Sequence, residues 1–166
     1  PFRNNIPDMT DVFKKHFFAW ILPCLLLMGA SAVYFAPVVF GDKQIAQDDI
    51  LMGLAKGREI VEFRAEHGSE PLWTNAMFSG MPTFQIATDY PHNGLSYVQG
   101  ALSSLLIEKS GIYIIISLMI GFFGLLRTEG VRTELAVVGA LAFGFSAFFI
   151  ISLGAGHNAK IRTAAY

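Results

Sequence analysis

Three long uncharged runs of apolar residues divide this chain, at residues 17–40, 111–126 and 135–153. At about 1.5 Å per helical residue the first reaches about 36 Å, enough to cross a hydrocarbon core roughly 30 Å thick with some tilt. It is too long for the core of a signal peptide, and no convincing small-residue cleavage site follows it. Pro23 and Pro37 fall near its two ends. Proline removes a backbone donor, which predicts a mild kink or an early helix end near Ala36. Trp20 and Tyr34 are expected as interface anchors. The second run is short for a span, but residues 101–107 are mostly apolar and lead into it, with Glu108 and Lys109 at the interface. The third matches the roughly 20 residues that a span needs. Its Gly139, Ala140, Gly144 and Ser146 are small positions where another helix can approach closely. The expected fold class is all-α transmembrane, with three membrane-spanning helices.

Between the first two spans lies a large loop, residues 41–110, whose aromatic and apolar content is that of folded structure rather than of a linker. Residues 48–67 have the period of an amphipathic helix. Ile50, Leu54, Val61 and Ala65 share one face, Arg58 and Glu62 form an i,i+4 pair on another, and Gly68 suits the C-terminus. This helix is expected to lie along the membrane surface. Residues 71–91, rich in Pro, Gly and aromatics, are expected to form an ordered irregular loop.

Charge orients the spans. Lys14 and Lys15 flank the first, and Arg127 and Arg132 sit in the turn 127–134 between the second and third. Two spans separate these places, so they share a side, and the positive-inside rule makes it cytoplasmic. Residues 1–16 are then cytoplasmic, while residues 41–110 and 154–166 lie outside the cytoplasm. Lys160 and Arg162 run against this orientation without outweighing it. The expected location is the inner, cytoplasmic membrane of a bacterium, crossed several times with the N-terminus inside.

Composition agrees with a membrane chain. Of 166 residues 53% are hydrophobic and only 15% charged, against roughly 25% charged in a soluble domain. The net charge of −1 supplies no basic stripe for nucleic acid. Cys24, the single cysteine, lies in an apolar run and reads as a small packing residue. The chain opens at Pro1 and closes at Tyr166, just after an expected helix start, and reads as part of a longer protein.

Three features carry candidate chemistry. Asp48 and Asp49 follow the first span closely. A carboxylate there can serve as a general base toward a hydroxyl or help to hold a divalent metal, although an Asp at a helix start is also an ordinary cap. His157, Asn158 and Lys160 follow the Gly154-Ala155-Gly156 turn, where backbone and side-chain donors suit a phosphate. A lone histidine has too little company for a metal site, and His67 and His92 read as solvated loop residues. The stretch from Pro71 to Pro82 offers Trp73 and Phe78 for stacking on a sugar or prenyl chain and Thr74 and Asn75 for hydrogen bonds, or else packs the loop in place. No nucleotide-binding glycine loop, zinc spacing or nucleophile elbow is present.

Taken in order, Gln47-Asp48-Asp49, Trp73-Thr74-Asn75 with Phe78-Ser79-Gly80-Met81-Pro82, the run from Gly139 to Ser146, and Gly154-Ala155-Gly156-His157-Asn158 resemble the N-terminal region of the YfhO-like bacterial membrane proteins, particularly those of Bacteroidetes type. That family is similar to the C-type membrane glycosyltransferases. The resemblance implies a longer, polytopic enzyme that takes a sugar from a polyprenyl-phosphate carrier on the outer face to modify the cell envelope. It places the base or metal partner on Asp48 or Asp49 and the carrier phosphate near His157, Asn158 and Lys160; Trp73 and Asn75, from the reading of the residues themselves, are the candidate substrate contacts. The segment alone is expected to be inactive. A second reading, from another class, is a non-catalytic structural or accessory subunit of a larger membrane complex, with other membrane proteins as partners. A transporter ranks third, because no ionisable residue lies within a span.

Overall fold

The computed structural model describes residues 10, 14, 16–86 and 93–166. Lys15, His92, the end of the 71–91 loop and most of the 1–16 segment lie outside them. The chain is mostly helical, and two helices, Phe17–Tyr34 and Lys109–Thr128, are long and apolar enough to cross a membrane. A third span is made if the bent pair Thr133–Gly144 and Ala147–Ala155 is taken as one.

The first of these opens with a π-helical turn, Phe17–Ile21, and continues unbroken as α1, Leu22–Tyr34; Pro23, which has no N–H to donate into the preceding turn, falls at the change from π to α geometry. It stops at Phe35 and resumes as the single turn α2, Ala36–Val39. The expected early end near Ala36 is therefore present, and Pro37 is its cause. Leu27 and Ser31 face inward and are fully buried, while Leu25, Leu26 and Val33 face outward. The Ser31 hydroxyl donates to the Leu27 carbonyl, so no polar atom is stranded among apolar neighbours. Cys24 packs against the core, as expected of a small apolar residue. Trp20 meets Phe123 edge-on and lies under the Arg127 guanidinium, while Tyr34 stacks on Phe145 at 4.7 Å.

The central element is α5, Ile112–Thr128, in which every residue from Ile112 to Met119 is buried. It is preceded by a separate helix, α4, Gly94–Leu105, which the sequence reading folded into the approach to the second span. Asn93 caps α4 through its side chain, and the chain then breaks at Leu106, with Ser110 and Gly111 both at positive φ. After α5 a Schellman turn closes on Gly130, with the Val131 N–H reaching the Leu126 carbonyl. The antiparallel helix α6, Thr133–Gly144, returns along α5. Small residues on α6 set the spacing. A Cβ at Gly139 would stand 2.8 Å from Leu126, and one at Gly144 would collide with the Met119 side chain.

The third span was expected as one helix over 135–153. It is instead broken at Phe145–Ser146, where α7, Ala147–Ala155, departs by 43° from α6. Gly144 and Ser146 flank the break, the kind of small-residue pair at which helices bend. The chain then turns at Gly156 into α8, Asn158–Ala165. This last helix runs alongside α5 in the same sense: Asn158 lies near Gly111, and the Ala165 carbonyl meets Gly121. Arg162 donates to the Tyr113 hydroxyl on the way. The 154–166 segment is thus a helix packed back on α5.

In the loop, α3 spans Asp48–His67 and ends on Gly68 at φ 64°, matching the expected helix and its stop. The Arg58–Glu62 pair forms at 2.7 Å, and the Glu62 hydrogen bond and charge push the Arg58 guanidinium up. Leu54 and Val61, on the expected apolar face, are 68% and 56% exposed, and the positions covered by the rest of the chain are Gly57 and Ile60. Periodicity shows that a helix has an apolar stripe, but only neighbours decide what is covered. The other departure from an all-α fold is a small antiparallel hairpin, β1 (Trp73–Thr74) and β2 (Met81–Pro82). Its turn holds Phe78 and Ser79 at positive φ, and Gly80 (φ 123°) lets the Trp73 indole lie against the backbone.

Gly144→Ala should lower stability by about 1–3 kcal/mol in detergent unfolding titrations, because the methyl group has no room beside Met119. Gly124→Ala, on the same helix pair but facing open space, should be neutral or stabilising.

Candidate functional site

The start of α3 and the end of α7 meet, and the meeting is built from backbone geometry upward. Gly156 sits at φ 90° and closes a Schellman turn on α7: its N–H reaches the Leu153 carbonyl, and the His157 N–H reaches the Ser152 carbonyl at 2.8 Å. A Cβ on Gly156 would stand 3.2 Å from the Ile50 side chain and 3.4 Å from the Asp49 Cβ. Only glycine meets both demands, the left-handed φ and the close approach. The turn therefore presses against the first turn of α3 and directs His157 toward it.

The contact is closed by side chains from both partners. Asp49 Oδ2 and His157 Nε2 are 2.6 Å apart, with the two side chains 59% and 42% exposed. Gln47, the residue at the N-cap of α3, makes no cap bond of its own. Its amide instead donates to the Leu153 carbonyl at 2.8 Å and to the Asn158 Oδ1 at 3.3 Å. Asn158 is buried, and its amide group also borders Gly111 at the start of the second span. Nearby, the Ile45 N–H donates to the Ser110 hydroxyl. Three stretches of sequence far apart in the chain, 45–50, 110–111 and 153–158, are thus held at one place.

Of the two aspartates, the structure pairs Asp49 with His157. Asp48 is exposed and has no ion-pair or hydrogen-bond partner among the described residues. Both lie in the first turn of α3, where a carboxylate also faces the positive end of the helix dipole. Lys160 is exposed one turn beyond His157 and forms no ion pair among the described residues. Trp73 and Asn75 stand apart from this group. Their hairpin is tied to α3 through Glu59, whose carboxylate accepts from the Thr74 hydroxyl at 2.6 Å and from the Asn75 N–H at 3.1 Å. Glu59 lies about 15 Å along α3 from Asp49 at the helical rise.

An Asp–His contact has acid–base capability: the carboxylate orients the imidazole and leaves its other nitrogen available to take or give a proton. The pair is short of a metal site, since no group of three His, Cys, Asp or Glu side chains occurs among the described residues. Two contributors escaped the sequence reading. Gln47 stands beside the aspartates, but nothing in its type or position announces a bridge to a segment over a hundred residues away. Glu59 reads as one more solvent-facing charge on α3, and only the folded hairpin reveals its partners.

Gly156→Ala should destabilise the protein by about 1–2 kcal/mol in the same unfolding titrations, from the left-handed backbone penalty alone, and should separate Asp49 from His157. A double-mutant cycle between Asp49→Ala and His157→Ala should give a coupling of about 0.2–1 kcal/mol, as befits an exposed pair. No protein-family model, curated protein or solved structure matches this chain.

Proposed function

We propose that this chain carries the outer-face acid–base centre of a polytopic membrane glycosyltransferase that takes a sugar from a polyprenyl-phosphate carrier for cell-envelope modification. One observation carries the reading: Asp49 and His157, named as candidates from two distant parts of the sequence, lie 2.6 Å apart. In this reading Asp49 is the carboxylate that activates the acceptor hydroxyl, directly or through the imidazole. His157 shares the proton, and Lys160 stands near the departing phosphate. Gln47 and Asn158 are positioning residues, because their polar groups are spent on each other and on the Leu153 carbonyl. The helices long enough to cross a membrane support a lipid-linked substrate, whose phosphate stays at the interface.

The exposed apolar side chains of the loop favour a second reading. Leu54 on α3, and Leu72, Phe78 and Phe84 around the hairpin, all lie open, which suits docking of another membrane protein by a non-catalytic subunit.

Asp49→Ala in the natural full-length protein should abolish sugar transfer from the lipid carrier while leaving membrane insertion intact. Normal transfer by the Asp48→Ala/Asp49→Ala double variant would sink the transferase reading in favour of the subunit. The orientation with the N-terminus inside the cytoplasm is tested separately. With Cys24→Ser as background, Ser69→Cys should label from the outside and Thr128→Cys from the cytoplasm.

A further inference from the structure

Beside the start of α3 lies a second feature that the Asp49–His157 contact does not use. A cavity of about 660 Å³ opens between the chain leaving the first span and the chain entering the second, from Gly41 through Gln47 on one side to Lys109 and Ser110 on the other. That volume falls in the range of small-ligand sites. Its wall is of two kinds: Ile45, Ile50 and Leu51 supply apolar surface, while Lys43 and Lys109 supply two cations against the single carboxylate of Asp42.

Neither lysine has a carboxylate partner among the described residues. Lys109 donates only to the Val39 carbonyl, at 3.3 Å, which leaves two of its three N–H groups free. The backbone around the opening is held in forms that serve a concave wall. Ser110 (φ 52°) and Gly111 (φ 75°) are consecutive left-handed residues, and a Cβ on Gly41 would collide with the Pro37 carbonyl at 2.6 Å. The cavity also sits where two helices of membrane-spanning length both end.

From this arrangement we propose that the cavity is an anion site for a phosphate monoester or inorganic phosphate, with Lys43 and Lys109 as its two cationic contacts. Lysine is a point charge that binds phosphate without demanding bidentate geometry. The apolar wall of Ile45, Ile50 and Leu51 gives a lipid-borne phosphate somewhere to lay the start of its acyl chains. Neither Asp49 nor His157 lines the cavity, although Gln47 and Ile50 border both places, and the proposal stands whether or not the chain belongs to a transferase.

The test is calorimetric titration of the purified full-length protein in non-ionic detergent with three probes: dioctanoyl phosphatidate, dioctanoylglycerol and inorganic phosphate. A phosphate-bearing probe should bind, and Lys43→Ala/Lys109→Ala should weaken it about 10-fold or more, the loss expected for charge-assisted contacts. Lys43→Arg/Lys109→Arg should retain binding, as should Arg132→Ala, which removes a charge from the turn at the far end of α5. Should the double alanine variant fail to fold, Lys43→Glu, an exposed loop substitution, must weaken binding by itself. Tighter binding of phosphatidate names a membrane lipid as the source, and equal or tighter binding of inorganic phosphate names a soluble anion. Dioctanoylglycerol binding as well as phosphatidate, no binding of either phosphate probe, or unchanged binding by the lysine variants would overturn the proposal.

Discussion

The rest of the structure is arranged around the enclosure of one helix. The first half of α5, from Ile112 to Met119, is buried on every side, which a helix apolar enough to cross a membrane achieves only when other helices replace lipid around it. Four elements do so here: α1, α6, α8 and the short α4. Lipid supplies no hydrophobic drive for this, because hydrocarbon is as apolar as the side chains it would displace. Close fit supplies it instead, through Gly139 and Gly144 against Leu126 and Met119. Residual polar groups are satisfied locally, as when the Ser117 hydroxyl donates to the Tyr113 carbonyl.

Enclosure of α5 also explains why the candidate centre exists. Wrapping α8 against α5 requires the chain to reverse immediately after α7, and Gly156 is the reversal. The same glycine leaves room for α3 to seat its first turn there. The Asp49–His157 contact, with both side chains substantially exposed, contributes little to that seating. The close approach at Gly156 and the paired bonds of Gln47 hold the two helices together, and the acid–base pair is carried into place by them.

Much of this was legible in the residues, and the limits of legibility have physical reasons. The spans follow from uninterrupted apolar runs, α3 follows from its period and from Gly68, and the break before Ala36 follows from Pro37. The bend at Ser146 left a weaker trace, because Gly144 and Ser146 read equally well as small packing positions in a straight helix. α4 was hidden by its apolar residues, which merged with those of the following span, although Asn93 followed by Gly94 was a readable start. The buried face of α3 was not legible at all, since it depends on what the loop brings against the helix. At the candidate site the residue types pointed to Asp49 and His157 separately. Their meeting rests on the Gly156 turn and on a Gln47 side chain that could have pointed anywhere.

The bend between α6 and α7 has a geometric consequence. Before it, the α5–α6 hairpin is packed closely through Gly139 and Gly144. After it, α7 is a rod of nine residues joined to that frame at Ser146 and clasped at its far end by α3 through Gln47. Phe149 and Leu153 seat that rod in the same core as α5, so the direction it takes after the bend fixes where the turn at Gly156 and the start of α3 lie. The break thus places the loop: the start of α3 takes its position from the heading of α7 after the bend rather than from the α5–α6 pair.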